Sequence, residues 1–175
     1  MSIEKTGGDH VDRLRAQWAR ELPDLDTSPM SILGRIYRLS MLVRPGIEET
    51  FAAFDLDRGE FDVIATLRRA GPPYRLTPTE LYKSLMITSG GLTHRLKRLE
   101  KAGLVERIPS PEDGRSMIVG LTGTGIKRAE EAFRADMESE LALFASMPAA
   151  RRELLAELLR ELTENVTSNL ADREN

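Results

Sequence analysis

Residues 88–122, TSGGLTHRLKRLEKAGLVERIPSPEDGRSMIVGLT, constrain the fold more than any other stretch. Helical spacing puts Leu92, Leu96 and Leu99 on one apolar stripe. Thr88 or Ser89 offers an N-cap hydroxyl ahead of it, and Gly103 offers a left-handed stop just past its end. On a wheel of about 100° per residue, the opposite pole carries Gly90, His94, Lys97, Arg98 and Lys101. One face of this helix is leucine and the other is cationic. Two alternating runs follow, Leu104–Ile108 and Met117–Leu121, each patterned as a strand. The Pro-Ser-Pro-Glu-Asp-Gly-Arg between them is turn chemistry.

The residues just upstream add a second helix. Thr77-Pro78-Thr79-Glu80 is a helix start in which Thr77 caps, Pro78 takes the first position and Glu80 completes a capping box. The helix is expected from Pro78 to about Met86. A short helix, a turn, a helix with a cationic outer face and then a hairpin is the order of a winged helix-turn-helix. The expected fold is therefore mainly α, with a small β wing. A helix of this kind suits a major groove and a hairpin tip suits a minor groove. An ordinary surface helix with a basic face is the competing reading, and the order of elements weighs against it.

Four segments carry a family resemblance: GEFDVIATLRRAG (59–71), LTPTEL (76–81), SGGLTHRLKRLEKAGLVER (89–107) and PEDGRSMIVGLTGTG (111–125). Together they resemble the MarR family of dimeric transcriptional regulators. Asp113-Gly114-Arg115 resembles that family's wing signature, and LTGTG the start of its first C-terminal helix. The resemblance spans roughly Ser28 to the C-terminus. It implies a homodimer on a double-stranded DNA operator. The expected DNA contacts are Thr77, Ser89, Gly90, Thr93, His94, Lys97 and Arg98, with Arg115 in the minor groove held by Asp113.

Length and composition set the outer limits. A chain of 175 residues fits one core-bearing domain with appended helices. The expected division is an N-terminal extension helix (1–27), a helical dimerisation region (28–58 and 122–175) and a winged helix-turn-helix lobe (59–121). No apolar run approaches a membrane span, and MSIEKTGGDH lacks the apolar stretch of a signal peptide. With no cysteine there is no disulfide framework, thiol sensor or thiolate metal site. The expectation is a cytoplasmic chain. A net charge of −3 does not advertise nucleic acid, but its distribution does. Residues 64–107 hold nine Lys/Arg against three Glu, whereas residues 130–175 hold five Arg against eleven acids. The basic middle coincides with the cationic helix.

From the N-terminus, Val11, Leu14, Trp18 and Leu22 mark a first helix over about 9–22, ended by Pro23. Ser28-Pro29 starts the next, whose apolar positions run from Ile32 to Val43 before Pro45-Gly46, which should kink or interrupt it. A second piece is expected through Phe51 to Phe54. The tail reads as two long helices, about 124–147 and 148–170, the last dense in leucine. Amphipathic helices at the ends of a small domain need a partner surface, and a twofold dimer supplies one while matching palindromic half-sites.

Catalytic chemistry finds little support. His10 and His94 are the only histidines, and neither is spaced to a metal ligand or a nucleophile. Acidic pairs such as Asp55/Asp57 read as solvated surface. The chain is not expected to be an enzyme or to need a cofactor.

Trp18, Asp62, Arg95 and Arg107 belong together in a different way. Asp62 lies in a helix whose Phe61, Ile64 and Leu67 face the core, and it is expected on the other side. Arg95 lies about 65° from the centre of the leucine stripe, so it looks sideways towards the protein body. Structural ion pairs and a core tryptophan would satisfy these residues without any ligand. Within the MarR family, however, the N-terminal helix with its Trp, the FDV segment, the T-x-R of the second helix and the GLVER arginine resemble the urate-responsive branch. That resemblance implies a ligand set of Trp18, Asp62, Arg95 and Arg107 for urate or a similar small aromatic anion. A winged-helix protein-interaction module without DNA binding is the alternative.

Overall fold

The computed structural model describes residues 8–86, 91–109 and 117–174. The chain forms two compact units, residues 1–49 and 50–175.

In the first unit, α1 (His10–Glu21) opens with a complete capping box. Asp9 Oδ1 accepts the Asp12 N–H at 3.0 Å and Asp12 Oδ2 accepts the Asp9 N–H at 3.0 Å. Arg35 then ties both carboxylates down, at 2.8 Å to Asp9 and 2.7 Å to Asp12. The Asp12 N–H, and after it Arg35, lower the Asp9 pKa to about 2. Arg35 belongs to α2 (Leu33–Ala52), reached through a 3-10 turn, Ser28–Ser31, with Pro29 in its first positions. Val11 is buried, its Cγ1 3.4 Å from where a Cβ on Gly34 would lie. Of the kink or interruption expected at Pro45-Gly46, the interruption does not occur: the helix runs on to Ala52 with Pro45 inside it. Proline removes one N–H and crowds one carbonyl a turn back, which distorts a turn without ending a helix whose flanking bonds hold.

The second unit is built on α3 (Arg58–Arg69). Phe61, Val63, Ile64 and Leu67 are buried, and so are Glu60, Asp62 and Thr66. Phe61 stacks on Phe51 with ring centroids 4.0 Å apart. After it come β1 (Arg75–Leu76), α4 (Pro78–Ser84), α5 (Leu92–Lys101), β2 (Val105–Pro109), β3 (Met117–Leu121), α6 (Gly123–Leu143) and α7 (Ala149–Glu174). Helix α3 packs against α4, α5, α6 and β3. The strands form one antiparallel sheet in the order β1-β3-β2, with Val105 opposite Leu121 and Pro109 opposite Met117. Strand β1 was not expected; its two residues pair with Gly120 and Val119.

Local signals explain most boundaries. Thr77 caps α4 with the expected box, although that helix stops at Ser84. Gly91 (φ 78°) precedes α5, and Gly103 (φ 69°) follows it as anticipated. The proposed caps Thr88 and Ser89 lie outside the described residues. Strand β2 sits one residue later than expected, at Val105–Pro109, and Leu104 just ahead of it is buried. Thr122 caps α6 by accepting the Gly125 N–H at 3.0 Å, and donates to the Gly103 carbonyl at 2.7 Å. Helix α7 leaves Leu154, Leu158 and Leu170 exposed.

Candidate nucleic-acid interface

Helix α5 separates its two faces cleanly. Leu96 and Leu99 are buried, while Thr93, His94, Lys97 and Lys101 are exposed. Among the described residues, the side chains of His94 and Lys97 make no hydrogen bond or ion pair, so both keep their capacity for an outside partner. Thr93, with Gly91 and Leu92, borders a recess of about 480 Å³ shared with Pro78, Thr79 and Tyr82 of α4. Thr77 is committed elsewhere: its hydroxyl accepts the Glu80 N–H and donates to Glu80 Oε2 at 2.8 Å, which makes it the cap of α4. Ser89, Gly90, Asp113 and Arg115 lie outside the described residues.

Arg98, expected on the outward cationic pole, is exposed there but also reaches the start of α3. Its Nε lies 2.9 Å from Glu60 Oε1 and its Nη1 lies 3.3 Å from Asp57 Oδ2. A wheel fixes where a Cα–Cβ bond points, but an arginine is long enough to reach around the helix to a buried carboxylate.

Arg95 faces the protein body, as its wheel position indicates. A Cβ built on Gly59 would fall within 2.7 Å of Arg95 Nη2, so the guanidinium rests over bare backbone at the start of α3. Asp62 lies one turn further along α3, on the same face by the i, i+3 rule. It does not point away from the core: it is 6 % exposed and accepts the Met86 N–H at 3.2 Å. Arg69 Nη1 approaches the same oxygen at 3.9 Å, and its Nη2 donates to the Ser84 carbonyl. Asp62 therefore fastens the end of α4 to α3. Arg107, on β2, pairs with Glu100 of α5 at 3.3 Å. Trp18 belongs to the first unit and is 46 % exposed there, so it is not plain core.

The structure thus places Asp62 and Arg95 on one helix face and holds Arg107 at the far end of α5. The sequence reading missed Asp57, Gly59 and Glu60. A signal for two of them was present, since Asp57-x-x-Glu60 has the capping-box spacing of Thr77-x-x-Glu80. Among the described residues no cluster of His, Asp or Glu could hold a metal ion, and no helix is long and apolar enough to cross a membrane.

Two helices, the second carrying unengaged polar and cationic side chains outwards, followed by a two-strand wing, define the winged helix-turn-helix class of DNA-binding protein. The sequence model of the MarR family matches residues 54–116. The HTH-type transcriptional regulator PecS of Dickeya dadantii is 35% identical over 159 residues, 91% of this chain and 96% of that protein. The multiple antibiotic resistance protein MarR of Salmonella typhimurium is 33% identical over 133 residues, 73% of this chain and 90% of that protein. In structure, a mutant MarR from E. coli complexed with operator DNA superposes with a TM-score of 0.64 at 27% identity, covering 83% of this chain and 96% of that one. The chain belongs to the MarR family of transcriptional regulators.

Proposed function

We propose that this protein is a homodimeric repressor that releases a palindromic operator when a small aromatic anion, urate or a related purine, binds. The observation that carries the DNA reading is the outward face of α5, where Thr93, His94 and Lys97 stand exposed above a buried leucine stripe. In this reading His94 and Lys97 meet base edges and flanking phosphates in the major groove. Ser89, Gly90 and Thr93 approach the backbone near the helix start, and Arg115, held by Asp113, enters the minor groove. The related MarR structure holding operator DNA supports the same use of the fold. The exposed leucines of α7 support a dimer, because a lone protomer would leave them in water.

The switch rests on the contact between α3 and α5. A planar anion needs a cation for its charge, which Arg95 or Arg107 can offer, and an aromatic surface for its ring, the part that the resemblance to the urate-responsive branch gives to Trp18. Asp62 would repel an anion arriving beside it. Ligand binding would then change the spacing of Asp62 on α3 and Arg95 on α5, turning the reading helix. A coupling of ~1–3 kcal/mol lowers operator affinity roughly 5–150-fold, and DNA must lower ligand affinity by the same factor.

The test is a mobility shift on the protein's own upstream intergenic DNA, with and without urate, in wild type, Arg95→Ala and Trp18→Phe. The reading requires a wild-type complex that urate weakens and a response blunted in both variants. No complex at all would favour a protein-interaction module. A complex indifferent to saturating urate would reject urate as effector, and an unchanged response in both variants would reject this pocket.

A further inference from the structure

We propose that Arg98 is a positioning residue, which holds α5 on the capping box of α3 and so sets the angle at which His94 and Lys97 are presented. This rests on α5 being the DNA-reading helix. The geometry divides each carboxylate of the box between two tasks. Glu60 Oε2 accepts the Asp57 N–H at 2.9 Å, while Oε1 takes Arg98 Nε at 2.9 Å. Asp57 Oδ1 accepts the Glu60 N–H at 2.8 Å, while Oδ2 takes Arg98 Nη1 at 3.3 Å. One oxygen of each acid starts α3 and the other binds α5.

Burial decides what this cluster is for. The Glu60 side chain is only 3 % exposed, so its charge needs a partner, and removing that partner leaves an uncompensated carboxylate. A cation at a helix N-terminus is itself opposed by the macrodipole unless acids offset it. Asp57 and Glu60 do so here. Arg98 has two of its five N–H donors committed to these acids, so a phosphate could engage only the rest, whereas the side chain of the neighbouring Lys97 is engaged with nothing among the described residues. Lys97 and Arg98, adjacent and equally charged, thus have opposite tasks. Arg95 over Gly59 and Arg98 on Asp57 and Glu60 place two successive turns of α5 against one turn of α3.

Glu60→Gln tests this without dismantling the helix start, because the amide oxygen still accepts the Asp57 N–H. Operator affinity and its salt dependence are measured for wild type, Glu60→Gln, Arg98→Ala and the double variant. A positioning role makes each single variant weaken binding by about tenfold, and the double no weaker than either, with the wild-type salt slope kept. A direct phosphate contact predicts the reverse. Arg98→Ala alone would then lower the slope magnitude by about one, while Glu60→Gln, by freeing the arginine, would leave affinity unchanged or raise it. That result overturns the proposal. Hydrogen exchange without DNA gives an independent readout: α5 amides should exchange faster in both single variants, and unchanged exchange in both also overturns it. If the wild type bound no operator, the DNA reading would fall and exchange would still decide the clamp.

Discussion

The Arg95 guanidinium occupies the space that a side chain would take at Gly59, since a Cβ there lies within 2.7 Å of Nη2. Gly59 is the second residue of α3, where exchanging glycine for alanine gains less than the ~1 kcal/mol of a helix interior. Here the methyl group meets the far end of a flexible side chain, which can move aside. Gly59→Ala should therefore melt no lower than wild type yet lose its response to the effector, because Arg95 is displaced. Thermal melting with an effector titration checks both halves. A variant with the full wild-type response would detach the placement of Arg95 from the glycine.

Gly125 predicts the opposite outcome. Its Cβ would strike the Leu104 carbonyl, with the carbonyl carbon only 2.9 Å away, and backbone cannot rotate out of the way. Gly125→Ala should lose ~1–3 kcal/mol of stability, as overpacked cores do. Denaturant unfolding would show it as a lower midpoint at constant slope. An unchanged midpoint would mean that α6 shifts freely against the turn before β2.

On DNA, the exposed residues of α5 should divide by chemistry. Lys97→Ala should weaken all sequences alike and reduce the magnitude of the salt slope by about one, as loss of one phosphate contact does. His94→Ala should relax preference at one base pair by ~1–3 kcal/mol. Titrations of operator and scrambled DNA over a range of salt separate the two. Equal losses on both DNAs for His94→Ala would remove it from base reading.

Asp136, on α6, gives a pH signature. Burial, and then Glu140, raise its pKa to about 6, against the opposing pull of Arg58. A raised carboxyl pKa costs the folded state nothing while both forms are protonated. Stability falls as pH climbs from about 4, where the unfolded chain ionises, to about 6, and is flat beyond. The penalty is on the order of 2–3 kcal/mol. Asp9, lowered to about 2, acts in the other sense: its stabilisation is present above about 4 and is lost as pH falls towards 2. Asp136→Asn should raise the melting temperature at pH 7 and flatten the profile between pH 4 and 6. A profile unchanged by the substitution would place the titration elsewhere.

The last prediction concerns assembly. Deleting 148–175 removes α7 and its exposed leucines, and should give a monomer that no longer binds operator. Sedimentation with a mobility shift tests this, and a folded monomer that still binds tightly would refute the dimer requirement.

Much of this was legible in the sequence where one residue type has one physical use. Thr77 with Glu80, Gly103 after α5, and the Leu96/Leu99 stripe behave as their spacing requires. Legibility failed where packing overrides pattern. An amphipathic reading gives every helix a wet side, but α3 is covered almost all round, so Asp62 and Glu60 are buried where periodicity would leave them in solvent. Strand β1 is two residues long and exists only because β3 offers it an edge. The pairing of Arg98 could not be read from a wheel, because its partners are the N-cap acid, 41 residues upstream, and a carboxylate of the first turn of α3, and both look like surface acids in isolation.

The hydroxyl of Thr122 binds two helices at once: it donates to the Gly103 carbonyl at the exit of α5 and accepts the Gly125 N–H at the entry of α6. The Thr122 N–H also holds the Leu104 carbonyl at 3.1 Å. One end of the reading helix is thereby pinned, and any swing it makes has its fulcrum there. A swing of ~10° displaces the opposite end, ~14 Å away at 1.5 Å per residue, by ~2.4 Å. Lys101 would scarcely move, while Thr93 and His94 would travel ~2 Å. That travel exceeds what a hydrogen bond tolerates. In the proposed switch, a rearrangement beside Arg95 would swing the far end of α5 out of register with the DNA.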